Sequence, residues 1–226
     1  MVSFKGAHFP KDIILTCVRW YVAYPLSYRH IEELMRERGV PVDHATVNRW
    51  VLQYSSQLDA VFQRRERPVR LSWRIDETYI KVKGQWHYFD RAVDKSGQTI
   101  DFLLTEQRDE QAATRFLTKA IRRHGIPEKI TIDGSEANAS AIRSYNEAHG
   151  TRIIIRPVKY LNNVVEQDHR AVKRVTRPML GFKAFDAAPR TLAGVELMYM
   201  RKKGQRVVEE GQENRTPAEQ LYALAA

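Results

Sequence analysis

Three acids in this chain occupy places where acids are conspicuous. Asp76 lies inside the β-rich run Trp73-Arg74-Ile75-Asp76-Glu77-Thr78-Tyr79, and Asp133 closes a second apolar run, Ile130-Thr131-Ile132-Asp133-Gly134. Glu166 belongs to a stretch of helical periodicity, Asn162 to Arg177. At about 100° per residue, Arg170, Lys173 and Arg177 fall on its flank, and Val165, Val172 and Val175 gather on another side. Hard divalent cations take oxygen ligands, and Mg²⁺ prefers one or two carboxylates with phosphate and water. Two such ions about 3.5–4 Å apart can activate the attacking oxygen and stabilise the leaving one in phosphodiester chemistry. Three carboxylates meet that need, one bridging the ions and one more for each. An acid ringed by fixed positive charge points to a site that handles metal and phosphate together, the chemistry of cutting and joining nucleic acid.

Taken singly, each acid has a plainer reading. Asp133-Gly134 is a turn, Asp76-Glu77 a surface pair, and Glu166 an exposed helix acid paired with Arg170. The three together, in this order, are far more specific than any one of them. Asp168 competes with Glu166, but it falls beside the Val165/Val172 stripe and away from the basic flank, which favours a structural role.

The elements that must position these acids follow from periodicity and turn chemistry. Trp73 to Val82, Trp86 to Val93 and Thr99 to Leu104 read as strands separated by Lys83-Gly84 and Asp94-Lys95-Ser96-Gly97, a three-stranded meander. Asp109 to His124 reads as a helix stopped by Gly125. Lys129 to Ile132 is a short buried strand, Ser135 to His149 a helix, and Arg152 to Arg156 another strand. Helices follow at Asn162 to Arg177 and Pro189 to Lys203. A meander followed by alternating helix and strand predicts an α/β mixed sheet covered by helices. Asp133 then sits at the carboxyl end of a strand, the edge where such sheets present ligands, and Glu166 reaches over the top from a helix.

Residues 1–62 read as helical. Asp12 to Tyr24 carries an apolar stripe, Ser27 can cap a second helix that Gly39 ends, and Asp43 can cap a third from His44 to about Leu58. A helix, a glycine-bearing turn and a helix that opens on His44, Thr46, Asn48 and Arg49 form a helix-turn-helix pattern, with His44 and Arg49 as the candidates for DNA contact. An ordinary three-helix packing unit is the plainer alternative. Residues 63–70 are a basic, proline-bearing linker, 71–204 the catalytic domain, and 205–226 a polar, loosely held tail with a short helix at Pro217 to Ala225.

Composition narrows the partners. The chain has 226 residues, 43% hydrophobic and 28% charged, with 37 Lys+Arg against 27 Asp+Glu for a net charge of +10. That balance favours a polyanion, because counterions released from phosphates drive binding. A ribosomal or merely basic protein shares it. Cys17 is the single cysteine, so an internal disulfide and a Cys-based zinc site are excluded and a reducing cytoplasm is the natural setting. The apolar stretch from Ile13 to Tyr24 is short and broken by Arg19, so neither a signal peptide nor a membrane span is expected.

Three motifs carry a resemblance: Ile75-Asp76-Glu77-Thr78-Tyr79, Thr131-Ile132-Asp133-Gly134, and Lys159 through Arg170, which reads Lys-Tyr-Leu-Asn-Asn-Val-Val-Glu-Gln-Asp-His-Arg. They resemble the DDE transposases of small bacterial insertion sequences, in particular the insertion-sequence-six family. The resemblance covers nearly the whole chain, including the Ser27-Tyr28-Arg29 helix and Asp43-His44-Ala45-Thr46-Val47. It implies an RNase H-like catalytic domain with Asp76, Asp133 and Glu166 as the catalytic, metal-binding triad. The family's basic residue two turns after the glutamate lands on Lys173, which joins Arg170, Arg174 and Arg177 as DNA-binding candidates. Also implied are two Mg²⁺ ions, for which Mn²⁺ can substitute, double-stranded DNA as partner (element ends and target), and a homodimer or larger assembly. The family's replicative transposition, with cointegrate formation, would take place at the nucleoid. Glu136, in Asp133-Gly134-Ser135-Glu136, adds an acid with no assigned role. No retroviral-type His/Cys zinc module is present, so the N-terminal helices would recognise ends without metal. Two alternatives remain: an RNase H-like nuclease that hydrolyses and never joins, and a non-enzymatic helix-turn-helix regulator, which leaves the three acids without a task.

Overall fold

The structure is a computed structural model that describes residues 2–205, 207 and 215–225. Its elements in order are α1 (Lys11–Ala23), α2 (Tyr28–Arg36), α3 (His44–Gln63), β1 (Ser72–Val82), β2 (Gln85–Asp94), β3 (Thr99–Thr105), α4 (Glu110–His124), β4 (Lys129–Ile132), α5 (Glu136–His149), β5 (Ile154–Pro157), α6 (Asn163–Thr176), α7 (Ala187–Lys202) and α8 (Pro217–Tyr222). Short 3-10 turns at Lys159–Asn162 and Arg177–Met179 flank α6. The chain divides into two compact units, Pro68–Ala171 and Met1–Arg67 together with Val172–Ala226.

The first of these units is built on a five-stranded sheet of order β3-β2-β1-β4-β5. β2 runs antiparallel to β1 and β3, whereas β4 runs parallel to β1 and β5 parallel to β4. This is the RNase H-like mixed sheet flanked by helices that the sequence predicts. The β1–β2 hairpin closes on Lys83 and Gly84, with φ of 49° and 81°. Two positive φ values in a two-residue loop match the twist of the strands, and the turn fixes the register from Val82↔Gln85 up to Trp73↔Asp94. One sheet face packs Trp73, Ile75, Ile100, Ile130 and Ile132 against Phe116, Leu117, Ala120 and Ile121 of α4 and Ala139 and Ile142 of α5. Truncating a fully buried aromatic such as Phe116 to Ala costs about 3–5 kcal/mol. Asp109 and Ser135 cap α4 and α5 by accepting from Ala112 N and Asn138 N. On the other face, Asn162 donates to the Ile75 carbonyl at 3.1 Å and Arg74 Nε to the Leu161 carbonyl at 2.9 Å, which ties the segment leading into α6 to β1.

The second unit is helical. Ser27 accepts from His30 N at the start of α2, and Asp43 accepts from Ala45 N and Thr46 N at the start of α3. α3 continues to Gln63, past the Leu58 end expected from sequence, because Tyr54, Leu58 and Phe62 extend its buried stripe by another turn. α7 is buried on nearly every side and packs against α1 and α3. At Gly194 a Cβ would stand 2.6 Å from Ser55 Oγ and 2.7 Å from Val22 Cγ1, so the helices meet at backbone distance. By these contacts α7 keeps company with the N-terminal helices, whereas the sequence boundary at 204 grouped it with the sheet. The C-terminal helix is docked: Thr16 Oγ1 and Tyr222 Oη lie 2.9 Å apart, and Leu221 and Leu224 are buried. Residues 206, 208–214 and 226 of the expected tail lie outside the described residues. Cys17 is buried, and burial pushes its thiol up to about 12. Among the described residues no helix is long and apolar enough to cross a membrane.

Candidate active site

Strand alternation sets the chemistry of β1. Trp73 and Ile75 point into the core, so Arg74 and Asp76 take the opposite face. The parallel register pairs Arg74 with Thr131. Two residues further along both strands stand Asp76, in mid-strand, and Asp133, just beyond the end of β4, and register alone brings them to the same level. Glu77 senses both. Burial raises its pKa most, the Arg108 guanidinium opposes the rise, and the charges of Asp133 and Asp76 add to it. Asp133 also accepts from Ser135 N at 3.1 Å, holding the turn into α5.

Asp76 is 9% exposed, and its Oδ2 lies 3.1 Å from His169 Nε2. An ionised carboxylate only accepts, so the imidazole donates from Nε2. His169 follows Glu166 by three residues, one helical turn on the same side of α6. Glu166 itself is exposed, as is Arg170, whereas Val165, Asp168 and His169 are buried. Among the described residues no three His, Cys, Asp or Glu side chains are gathered closely enough to hold a metal ion. The fold thus brings Asp76 and Asp133 to adjoining positions and leaves Glu166 on the open helix surface one turn ahead of His169.

Asp168 takes the buried side expected for it. Its Oδ2 is 2.7 Å from Arg91 Nη2, with the two side chains 5% and 0% exposed. Arg91 is the cross-strand partner of Asp76. Glu136 opens α5 and pairs with Arg143 at the surface. Of the basic candidates, Arg170 and Arg174 are exposed on α6, Lys173 is half-buried, and Arg177 is exposed in the 3-10 turn that follows the helix, not in the helix itself. His44 and Arg49 are exposed and locally engaged. His44 Nδ1 is 2.8 Å from Glu32 Oε2, and Arg49 Nη2 donates to Thr46 Oγ1 at 2.7 Å.

Sequence reasoning missed His169, Arg91 and an acidic pair on the core side of β1. Glu77 faces Asp90 across the hairpin and is ion-paired to Arg108 at 2.8 Å. Asp90 is 5% exposed, and burial, reinforced by Glu77, raises its carboxyl to about 7. A signal for two of these existed. Once Lys83-Gly84 is taken as a two-residue turn, counting back along both strands puts Glu77 opposite Asp90 and Asp76 opposite Arg91.

A mixed five-stranded sheet with helices on both faces, and two aspartates at one level of neighbouring parallel strands, defines an α/β domain of the DDE kind. Residues 70–205 match the family model described as a DDE domain. The chain is 40% identical over 218 residues to the transposase for insertion sequence-like element IS431mec of Staphylococcus aureus, spanning 92% of this chain and 93% of that one. The same identity and coverage hold for the S. aureus transposase for insertion sequence element IS257 in transposon Tn4003. The chain belongs to the DDE-domain transposases of bacterial insertion sequences, of the insertion-sequence-six type. Among solved structures, the HTLV-2 integrase catalytic core domain in complex with magnesium aligns with TM-score 0.46 and 16% identity, over 69% of this chain and 98% of that one. The catalytic core domain of BIV integrase aligns at 0.44 and 18%, over 67% and 93%.

Proposed function

We propose that this protein binds the inverted-repeat ends of its own insertion sequence and carries out metal-dependent nicking and strand transfer, with Asp76, Asp133 and Glu166 as the ligating acids. The observation that carries this reading is the β1/β4 register, which sets Asp133 beside Asp76, with Glu166 one turn from the histidine that touches Asp76. The donor set is all oxygen, which fits a hard divalent cation. Both aspartates raise the pKa of Glu77, so they share a negative field that a cation would neutralise. When bound there, a pair of Mg²⁺ ions, or Mn²⁺ in their place, supplies Lewis-acid activation of the attacking oxygen and charge stabilisation of the leaving one.

The chain's own residues do the rest. His169 holds the Asp76 carboxylate in one orientation. Arg170, Lys173, Arg174 and Arg177 offer positive charge to DNA phosphates. Residues 1–62, their core completed by α7, recognise the element ends through the opening of α3, where His44 and Arg49 lie. Residues 63–70 lead into the catalytic segment 71–204, and 205–226 form the tail. In the first step water attacks a phosphodiester and releases a 3′-hydroxyl; in the second that hydroxyl attacks target DNA, breaking one P–O bond as another forms. The outcome is replicative, with a cointegrate. Two ends are processed together, so the working form is a homodimer or larger, acting on nucleoid DNA in the cytoplasm.

The test uses a supercoiled plasmid carrying the element ends, with purified Asp76→Asn, Asp133→Asn and Glu166→Gln. Nicked and joined products should vanish in each variant while gel shifts of an end duplex persist. Cleavage surviving in any variant removes that acid from the triad. Nicking without joining in the unaltered protein favours a hydrolytic nuclease. End binding without either reaction favours a regulator.

A further inference from the structure

Directly along β1 from Asp76, the sheet carries a group of the opposite sign. Arg74, Thr131 and Arg156 form one row across three strands, paired by the parallel registers of β1, β4 and β5. Arg74 and Arg156 line a cavity of about 440 Å³ whose wall also includes Arg70, Lys95, Lys129 and Glu128. Arg156 Nη2 donates to Thr131 Oγ1 at 2.9 Å, and Arg74 Nε is held by the Leu161 carbonyl. The remaining donors are less well served. Arg74 Nη1 and Arg156 Nε are buried without a hydrogen-bond partner among the described residues. Burial lowers the pKa of Arg74, the neighbouring Arg156 lowers it further, and the charge of Asp94 offsets only part of the fall.

The nearby acids compensate only in part. The Asp94 carboxylate already accepts from the backbone N–H groups of Arg70, Ser96 and Gln98. Glu128 is exposed and is the single carboxylate in the lining, against five cations. Two guanidinium groups brought together in a partly dry cavity are costly unless an anion completes them. The planar fork of arginine suits phosphate oxygens.

We propose that this cavity holds a backbone phosphate of duplex DNA other than the one cut at the acids. The inference rests on the DNA-processing reading given above. The cavity opens toward the amino ends of β1 and β4, away from the acids: Arg74 and Thr131 precede Asp76 and Asp133 by two residues along their strands, roughly 7 Å. A small free anion would need only the two guanidinium groups at the base. Arg70 and Lys95 are exposed and Lys129 half-exposed, so they carry the positive charge outward to the rim, as a continuous polyanion requires.

The test is equilibrium binding of the full chain to a nonspecific duplex across a salt series. Lys95→Gln with Lys129→Gln should weaken binding and make the slope of log K against log salt shallower by about one unit. The charge-matched pair Arg115→Gln with Arg122→Gln, on the exposed side of α4, should leave the slope unchanged. An unaltered slope in the first pair, or equal flattening in both, overturns the proposal. A second arm adds inorganic phosphate and follows thermal unfolding. If phosphate stabilises the unaltered chain but not Arg156→Gln, while the rim pair keeps its slope, the cavity is a small-anion site and the DNA assignment falls. Asp76→Asn should keep the full slope. A chain whose acids prove inert but whose rim pair flattens the slope would uphold this site while the catalytic reading fails.

Discussion

Asp76 and Glu77 are neighbours on one strand, yet they live in different chemistry. Glu77 points to the core side of the sheet, faces Asp90 across the hairpin and is clamped by Arg108. Asp76 points to the α6 side, where its partner is a histidine and its cross-strand neighbour Arg91 is already claimed by Asp168. An arginine partner is permanent. An imidazole gives its carboxylate a direction without a fixed counter-charge, so Asp76 remains available to a cation. Of two adjacent acids, the one with the weaker ion pair is the one suited to ligate.

The sharpest way to break this contrast is to remove each acid in turn. On the proposed metal-ligating role, Asp76→Ala should lower strand cleavage by on the order of 10³-fold or more, since losing a ligand would forfeit several kcal/mol of transition-state stabilisation. Glu77→Gln should change folding more than cleavage; a plasmid-nicking assay that ranks them the other way reverses the assignment. Next in size, Arg91→Met should take the buried guanidinium away from Asp168 and lower unfolding stability by about 3–5 kcal/mol, read by urea denaturation. Asp168→Ala should do the same, and a stably folded but inactive Asp168 variant would move that residue into the catalytic group. Smaller again, His169→Ala should reduce cleavage by about tenfold through a loosened Asp76, with His169→Gln recovering part of the loss.

The pH dependence separates the two faces most gently. The carboxyl of Asp90 sits at about 7 in the folded chain, against an ordinary 3.8. The folded state therefore holds this proton more tightly than the unfolded one. Its stabilisation is complete below 3.8 and is lost as pH rises through about 7, opposite to the usual carboxylate. Asp90→Asn should flatten that slope in denaturation curves taken from pH 4 to 8. An unchanged slope would mean that the Glu77/Asp90 pair is better solvated than its burial implies.

Much of this was legible in the residues. The meander, both short parallel strands and the Ser27 and Asp43 caps are local signals, set by turn chemistry and side-chain acceptors close in sequence. The positions of Asp76 in mid-strand and Asp133 just past β4 were legible because the apolar runs around them mark the strands. His169 and Arg91 were not, because their meaning depends on which face of α6 meets which face of the sheet, a long-range pairing that no local window contains. α7 was legible as a helix but not in its allegiance. A helix buried on nearly every side carries no stripe that names its partner. The basic cavity was hidden for the same reason, since Arg74, Thr131 and Arg156 become neighbours only through strand pairing.

Gly194 has a consequence for the order in which the molecule comes into being. Its missing side chain lets α7 lie against Val22 and Ser55, so the core that begins with α1 is finished by residues made some 170 positions later. As the ribosome releases the chain, Pro68–Ala171 has its whole sheet in hand while the N-terminal helices still wait for their last wall. Domains fold as units, and incomplete ones expose apolar surface. The segment proposed as the DNA-end reader would thus mature after the sheet, although it is synthesised before it. A chain broken off before α7 should carry a formed sheet beside helices too loose to select a DNA end.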